Sequence, residues 1–176
     1  MSGADRHPIG PVVVMGVAGC GKSVVGEHLA ERYGVPFVDA DTLHPSSNIE
    51  KMRSGQPLTD EDRAPWLDLV ADELGLRPDG ILIACSALKR HYRDRLRRVA
   101  PGVRFIHLHG DEALLYQRLA SRDGHFMPAS LLQSQLATLE DLEVDEHGWT
   151  IDVAQPLPSV LVEATSALSG TREETA

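Results

Sequence analysis

The stretch VVVMGVAGCGKSVVGEHLA, Val12 to Ala30, decides the fold, because an apolar run breaks into GVAGCGKS and then resumes with helical spacing. Val12 to Met15 reads as a buried strand, Gly16 to Gly21 as a glycine-rich loop, and Lys22 to Tyr33 as a helix. This is G-x-x-x-x-G-K-S in the setting it requires, strand before and helix after. Such a loop turns backbone N–H groups toward an anion, and the helix N-terminus adds unpaired donors and a partial positive charge. Gly16, Val17, Ala18, Gly19, Cys20 and Gly21 are therefore the candidate phosphate cradle. Lys22 can reach the outer phosphates, and the Ser23 hydroxyl is a candidate magnesium ligand.

Outward from that motif, apolar runs alternate with helix-like segments. The runs are Val12 to Met15, Pro36 to Asp39, Ile81 to Cys85, Val103 to Leu108 and Trp149 to Val153. Helices are expected at Lys22 to Tyr33, within Asp62 to Leu76, and at Leu88 to Val99, Glu112 to Ser121, Ser130 to Leu142 and Pro158 to Leu168. That alternation is the pattern of an α/β domain, a five-stranded parallel sheet covered by helices. Thr59-Asp60-Glu61-Asp62 resembles a capping box, but Pro65 would then lie inside the helix, so the expected N-cap is Asp62.

A chain of 176 residues is the size of one domain. Its formal charge of -9 and pI near 5.3 argue against a nucleic-acid partner, whose phosphates call for a basic face. Two cysteines, Cys20 and Cys85, with neither a signal peptide nor an apolar membrane span, read as a cytoplasmic, reduced protein without a membrane partner. Residues 1–10 and 170–176 are expected to be frayed ends.

In an open parallel sheet, ligands sit beyond the carboxyl ends of the strands, and those positions are polar here. Asp39 and Asp41 follow the second run, with His44 close behind; Ser86 and Lys89 follow the third, and His109 and Asp111 the fourth. Alternation along an extended chain sends Asp39 and Asp41 to the same side. Asp39 is the candidate magnesium partner, possible through water, and Asp41 the candidate base that deprotonates an alcohol during phosphoryl transfer. The competing reading is that either carboxylate caps the following turn. From Thr42 to Trp66 the chain is too long and polar for an ordinary connection, which marks a substrate flap. Its donors are His44, Asn48, Lys51, Arg53 and Arg63, and Ile49, Met52, Leu58 and Trp66 argue that it is ordered.

The chain has three lysines, Lys22, Lys51 and Lys89, against fourteen arginines. Arginine is thus the routine surface cation, and lysine stands only in the phosphate loop, in the flap and beyond the third run. Arg118 and Arg122 are four apart and project from one side of a helix whose Leu115 and Leu119 face the core. Asp123 to Pro128 then offers a glycine pivot and a proline stop, the build of a lid over about 122–135 whose arginines would stabilise a moving phosphoryl group. Complementing the helix dipole is the alternative role for Arg122. Asp72-Glu73-Leu74-Gly75 matches the D-x-x-G of a GTP-driven switch, but it falls in a helical pattern and no N-K-x-D segment exists.

Taken together, GVAGCGKS, DADTLHPSSNIEKMRSGQPLTDEDRAPWL, CSALKRHYRDRLR, HLHGD, RLASRDGHFMPASLLQSQLATLE and IDVAQPL closely resemble the gluconokinase family, over about Val12 to Leu168. The resemblance implies the three-layer P-loop kinase fold with strand order 2-3-1-4-5, ATP and Mg2+, D-gluconate as acceptor, 6-phospho-D-gluconate as product within carbohydrate metabolism, and a homodimer. Carried over by position, it places ATP on Gly16 to Ser23 with Arg118, Arg122 and the adenine-contacting turn Ala154 to Leu157, Gln155 and Pro156 included. It places the acceptor on Asp41, His44, Asn48, Lys51, Arg63, Ser86, Lys89 and His125. Lys22, Asp41 and Arg122 are the implied catalytic residues. A shikimate-kinase-like or nucleotide kinase is the alternative on the same fold. Cys20 stands where serine is more usual, and a thiol beside a helix N-terminus and a lysine is expected to alkylate readily unless ATP protects it.

Overall fold

The opening apolar run becomes β1 (Gly10–Met15), and it carries no polar side chain because it lies in the middle of the sheet. Val12, Val13, Val14 and Met15 are wholly buried. The computed structural model describes residues 8–122 and 128–170. Parallel strands flank β1 on both sides, β3 (Gly80–Ala84) and β4 (Arg104–His109), with β2 (Phe37–Asp39) and β5 (Gly148–Asp152) at the edges. The order is β2-β3-β1-β4-β5, and helices on both faces make the three layers of a P-loop kinase.

α1 (Lys22–Tyr33) and α7 (Leu157–Ser169) pack together, as do α3 (Asp60–Gly75) and α4 (Arg90–Val99). Between β2 and α3 run a 3-10 turn, Ala40–Leu43, and α2 (Ser46–Arg53). β4 and β5 are joined through α5 (Glu112–Ala120) and α6 (Ala129–Thr138).

Several boundaries differ from expectation, each for a local reason. The capping box at Thr59 forms after all. Thr59 Oγ1 accepts from Asp62 N at 3.2 Å, Asp62 Oδ2 accepts from Thr59 N at 2.9 Å, and Pro65 lies inside α3. The carbonyl that Pro65 leaves unpaired belongs to Glu61, an exposed residue that water can serve, so two capping bonds outweigh one missing donor. α4 starts at Arg90 rather than Leu88 because Lys89 is extended, with φ -103° and ψ 150°, and so caps the helix instead of joining it. Gly10, expected in a frayed end, opens β1, and its N–H donates to the Asp79 carbonyl at 3.1 Å.

α6 stops at Thr138, four residues short of expectation, because the following segment is captured by α4. The guanidinium of Arg93, wholly buried, donates to both oxygens of Glu146 at 2.7 and 2.8 Å and to the carbonyls of Glu140 and Asp141 at 3.0 and 3.1 Å. Glu140 N also donates to Leu88 O at 2.7 Å. A buried charge must be paired and its remaining donors satisfied, and residues 139–146 supply both.

Candidate active site

Three segments converge beyond the carboxyl ends of β1, β2 and β3. The phosphate loop is folded by its glycines: a Cβ on Gly16 would sit 2.7 Å from both Cys20 Sγ and the Leu108 carbonyl. Gly21 starts α1 at a φ of 98°, where glycine carries no steric penalty. No side chain caps α1 and no acidic residue stands in its first turn, so the field at its N-terminus is directed at whatever the loop holds. Lys22 Nζ folds back onto the Val17 carbonyl at 3.0 Å, and the N–H of Ala18 donates to Gln135 Oε1 of α6 at 2.7 Å.

Asp39 joins the loop to the flap. One oxygen accepts from Ser23 Oγ at 3.3 Å, and the other accepts from the N–H of Asp41 at 3.0 Å. Asp41 therefore does not alternate with Asp39 on a strand, as expected; it stands in the 3-10 turn that Asp39 caps. Both still line one cavity, so capping and site placement coexist in Asp39. Trp66 of α3 fixes the turn from below, its indole N–H donating to the Ala40 carbonyl at 2.7 Å. Its ring stacks on His44 at 4.2 Å between centroids. Asn48, buried behind that ring, donates to His44 Nδ1 at 3.2 Å and to the Asp62 carbonyl at 2.9 Å. An amide nitrogen only donates, so the proton of neutral His44 is on Nε2. Burial, reinforced by the Arg63 cation, pushes His44 down to about 4 and keeps it neutral.

The cavity holds about 640 Å3 and is lined by Lys22, Ser23, Asp39, Asp41, His44 and Ser86, with Arg53 and Arg63 on the flap side and Arg122 on the other. Arg63 is 7% exposed, and its Nη1 donates to two neutral oxygens, Leu58 O at 2.7 Å and Tyr92 Oη at 3.3 Å. Among the described residues no carboxylate lies within ion-pair reach of it. Lys51 and Lys89 are placed differently. Lys51 pairs with Asp62 at 2.7 Å and Lys89 with Asp60 at 3.0 Å, and neither lines the cavity. Asn48 likewise acts through His44 rather than from the wall. Ser86 lines the cavity just before the left-handed turn at Ala87, while His125 lies outside the described residues, as do residues 123–127 of the expected lid.

A second, smaller cavity of about 220 Å3 adjoins the loop between α1 and the start of α7. Val24, Val25, Val153, Leu157 and Val160 make it largely apolar, and Gln155 supplies an amide. Pro156 stands between Gln155 and Leu157 without lining it. Arg122 borders both cavities, and Arg118 borders the smaller one, held by its bond to the Val153 carbonyl at 2.6 Å. Cys20 lines the smaller cavity but is only 2% exposed, its sulfur tucked against Gly16. Burial shields that thiol from reagents and removes the reason to expect ready alkylation. Gln135, Ser134 and Leu131 of α6 also face the larger cavity. Their i, i+3, i+4 spacing was the available sign of a site-facing stripe, but its polar members read as surface.

Ser23 Oγ and Asp39 Oδ2 are hard oxygen donors side by side at the base of the phosphate loop, a set that fits Mg2+, which binds through few protein ligands. A phosphate cradle, an apolar slot beside it and a polar cavity carrying a carboxylate can pass a phosphoryl group from a nucleotide to a small acceptor.

The chain is similar to known proteins over most of its length. Residues 12–142 match the family model described as an AAA domain. A gluconokinase of Gluconobacter oxydans is 53% identical over 132 residues, 73% of this chain and 74% of that one. The thermoresistant gluconokinase of Escherichia coli is 45% identical over 153 residues, covering 85% and 87%. The crystal structure of a gluconokinase from Sinorhizobium meliloti superposes with a TM-score of 0.88 at 51% identity, covering 96% of each chain. With identity of that degree over most of its length and a superposition that covers 96% of each chain, the chain belongs to the gluconokinase family of P-loop kinases.

Proposed function

We propose that this protein transfers the terminal phosphoryl group of ATP to the terminal hydroxyl of D-gluconate, releasing 6-phospho-D-gluconate and ADP. The observation that carries the reading is one cavity lined both by carboxylates beside the phosphate loop and by a buried guanidinium of the flap. Lys22 and Ser23 line it with Asp39 and Asp41, and Arg63, buried and without a carboxylate partner among the described residues, lines it from the flap. A linear sugar acid matches that asymmetry, its carboxylate and its primary hydroxyl standing at opposite ends.

In this reading Asp41 accepts the proton of the attacking hydroxyl, and the Nε2–H of His44 hydrogen-bonds an acceptor oxygen. Arg63, with Arg53 beside it, takes the carboxylate by charge-assisted hydrogen bonds. Lys51 and Lys89 keep their own carboxylates and serve the flap as structure. The adenine occupies the apolar slot by Gln155, and Lys22 and Arg122 neutralise charge on the moving group. Ser23 and Asp39 would hold Mg2+, which supplies charge neutralisation for the phosphates when bound. Among the described residues no helix is long and apolar enough to cross a membrane. The cytoplasmic location and homodimeric state belong to the same proposal, the former supported by two cysteines that are both free and buried.

A coupled ADP-release assay with gluconate, other sugar acids, shikimate and nucleoside monophosphates tests it. Gluconate-dependent turnover well above the rest is the expected result. Turnover with shikimate or a nucleotide instead would replace the acceptor and leave phosphoryl transfer in place, and silence with every acceptor would reject the kinase reading.

A further inference from the structure

β4 carries a feature that phosphoryl transfer does not use. His107 and His109 are two apart on one strand and so stand on the same side of the sheet, their rings edge to face with centroids 5.8 Å apart. His107 is 1% exposed, and neither Nδ1 nor Nε2 has a hydrogen-bond partner among the described residues. An imidazole buried with both nitrogens unpaired costs roughly 1–3 kcal/mol per orphaned group, and native interiors seldom leave such a group without a partner. Asp141 approaches the pair from the segment that follows α6, the same segment whose backbone Arg93 grips at the Asp141 carbonyl. One nitrogen from each histidine and one Asp141 oxygen all lie within 4.8 Å of one another.

We propose that His107, His109 and Asp141 form a binding site for a borderline divalent ion, zinc being the ion the donor set fits best. Two imidazoles and one carboxylate are a set suited to zinc and its neighbours rather than to magnesium, which prefers oxygen. Bonds of about 2.0–2.2 Å to a tetrahedral ion place ligand atoms about 3.4 Å apart, so the cluster needs only a modest closing movement. That movement falls to His109 and Asp141, both exposed and able to rotate, while His107 is held by the core. A fourth position faces solvent and can hold water. Arg93, which grips the Asp141 carbonyl, is neutralised by its two bonds to Glu146, and among the described residues no cation pairs with the Asp141 carboxylate. None of the three residues lines either cavity of the active site. The ion would staple the segment after α6 to β4, and it is separate from the Ser23 and Asp39 pair.

The test uses nucleotide-free, tag-free protein in excess Mg2+, titrated with Co2+ as the spectroscopic stand-in and with Zn2+ by calorimetry. Expected are one Co2+ per chain with visible d–d absorption, displacement by Zn2+, and a Zn2+-dependent rise in melting temperature. His109→Ala and Asp141→Asn change exposed side chains, so each should keep the metal-free melting temperature and lose affinity by about tenfold or more. A wild-type protein that neither develops the Co2+ spectrum nor shifts its melting temperature overturns the proposal. So does binding of unchanged affinity in both variants, which would assign the ion to another place.

Discussion

Asp41 is placed by three neighbours: Asp39 accepts its N–H, Trp66 holds the Ala40 carbonyl, and the 3-10 turn sets its direction. An isosteric change there removes the base while keeping the size and shape of the side chain. Asp41→Asn is expected to lower kcat by roughly 10² to 10⁴ with an unchanged circular dichroism spectrum and melting temperature. A kcat near wild type would leave Asp41 a positioning role at most. Arg63 gives the complementary test, since its proposed work is binding rather than chemistry. Losing a charge-assisted hydrogen bond of about 1.5–3 kcal/mol predicts that Arg63→Gln raises KM for gluconate by roughly 10- to 100-fold while KM for ATP stays put. Equal rises in both constants would point to a damaged flap. At this scale the sequence pointed to residues that do line one cavity, Lys22, Ser23, Asp39, Asp41, His44 and Arg63 among them, because strand ends in a parallel sheet must converge. Ranking Arg63 above Lys51 and Lys89 needed their partners, Asp62 and Asp60, which lie 11 and 29 residues away along the chain.

Among the elements, α6 reaches back onto the phosphate loop. Gln135 occupies the Ala18 N–H, one of the loop donors an incoming phosphate would use, so nucleotide binding has to displace it. A neutral hydrogen bond is worth about 1 kcal/mol net, and Gln135→Ala is therefore expected to tighten ATP binding by a few-fold, read by titration calorimetry without acceptor. Unchanged or weaker binding would show that Gln135 does not compete with phosphate. The strands and α1 were legible because burial on both faces imposes unbroken apolar runs, and because the glycine and lysine spacing of the loop leaves few conformations. α2 was not legible: eight residues of SSNIEKMR have a weak apolar stripe, and the helix is held by Asn48 and Lys51 bonding to Asp62 of α3. The end of α6 was hidden for a similar reason. Nothing local to Leu139 stops a helix; Arg93, far upstream, pulls the chain away.

For the molecule as a whole, acid should act in two stages. His44, with a folded value near 4 against 6.5 unfolded, binds its proton less readily when folded, so stability falls as pH drops from about 6.5 to 4. Glu146 follows lower down. Burial pushes it up, but hydrogen bonds from Arg93, the Glu143 N–H and Arg97 prevail and hold it at about 2. Its contribution is complete above about 4.5 and disappears as pH falls toward 2. Melting temperature measured from pH 7 to 2 should therefore decline gently and then steeply. Buried His107, also lowered to about 4, shares that limb, so His44→Phe should make the upper limb shallower without abolishing it, and an unchanged upper limb in that variant would remove His44 as a cause. The chain also distributes its two tryptophans in a telling way. Trp149 stands on the edge strand β5 beneath Arg104 and lines neither cavity of the site, whereas Trp66 lies against His44 and lines the larger cavity with it. The protein thus contains its own optical gauge. Ligand that touches His44 alters the surroundings of a single buried indole, and acceptor occupancy can be followed by intrinsic fluorescence, with Trp149 as an internal reference.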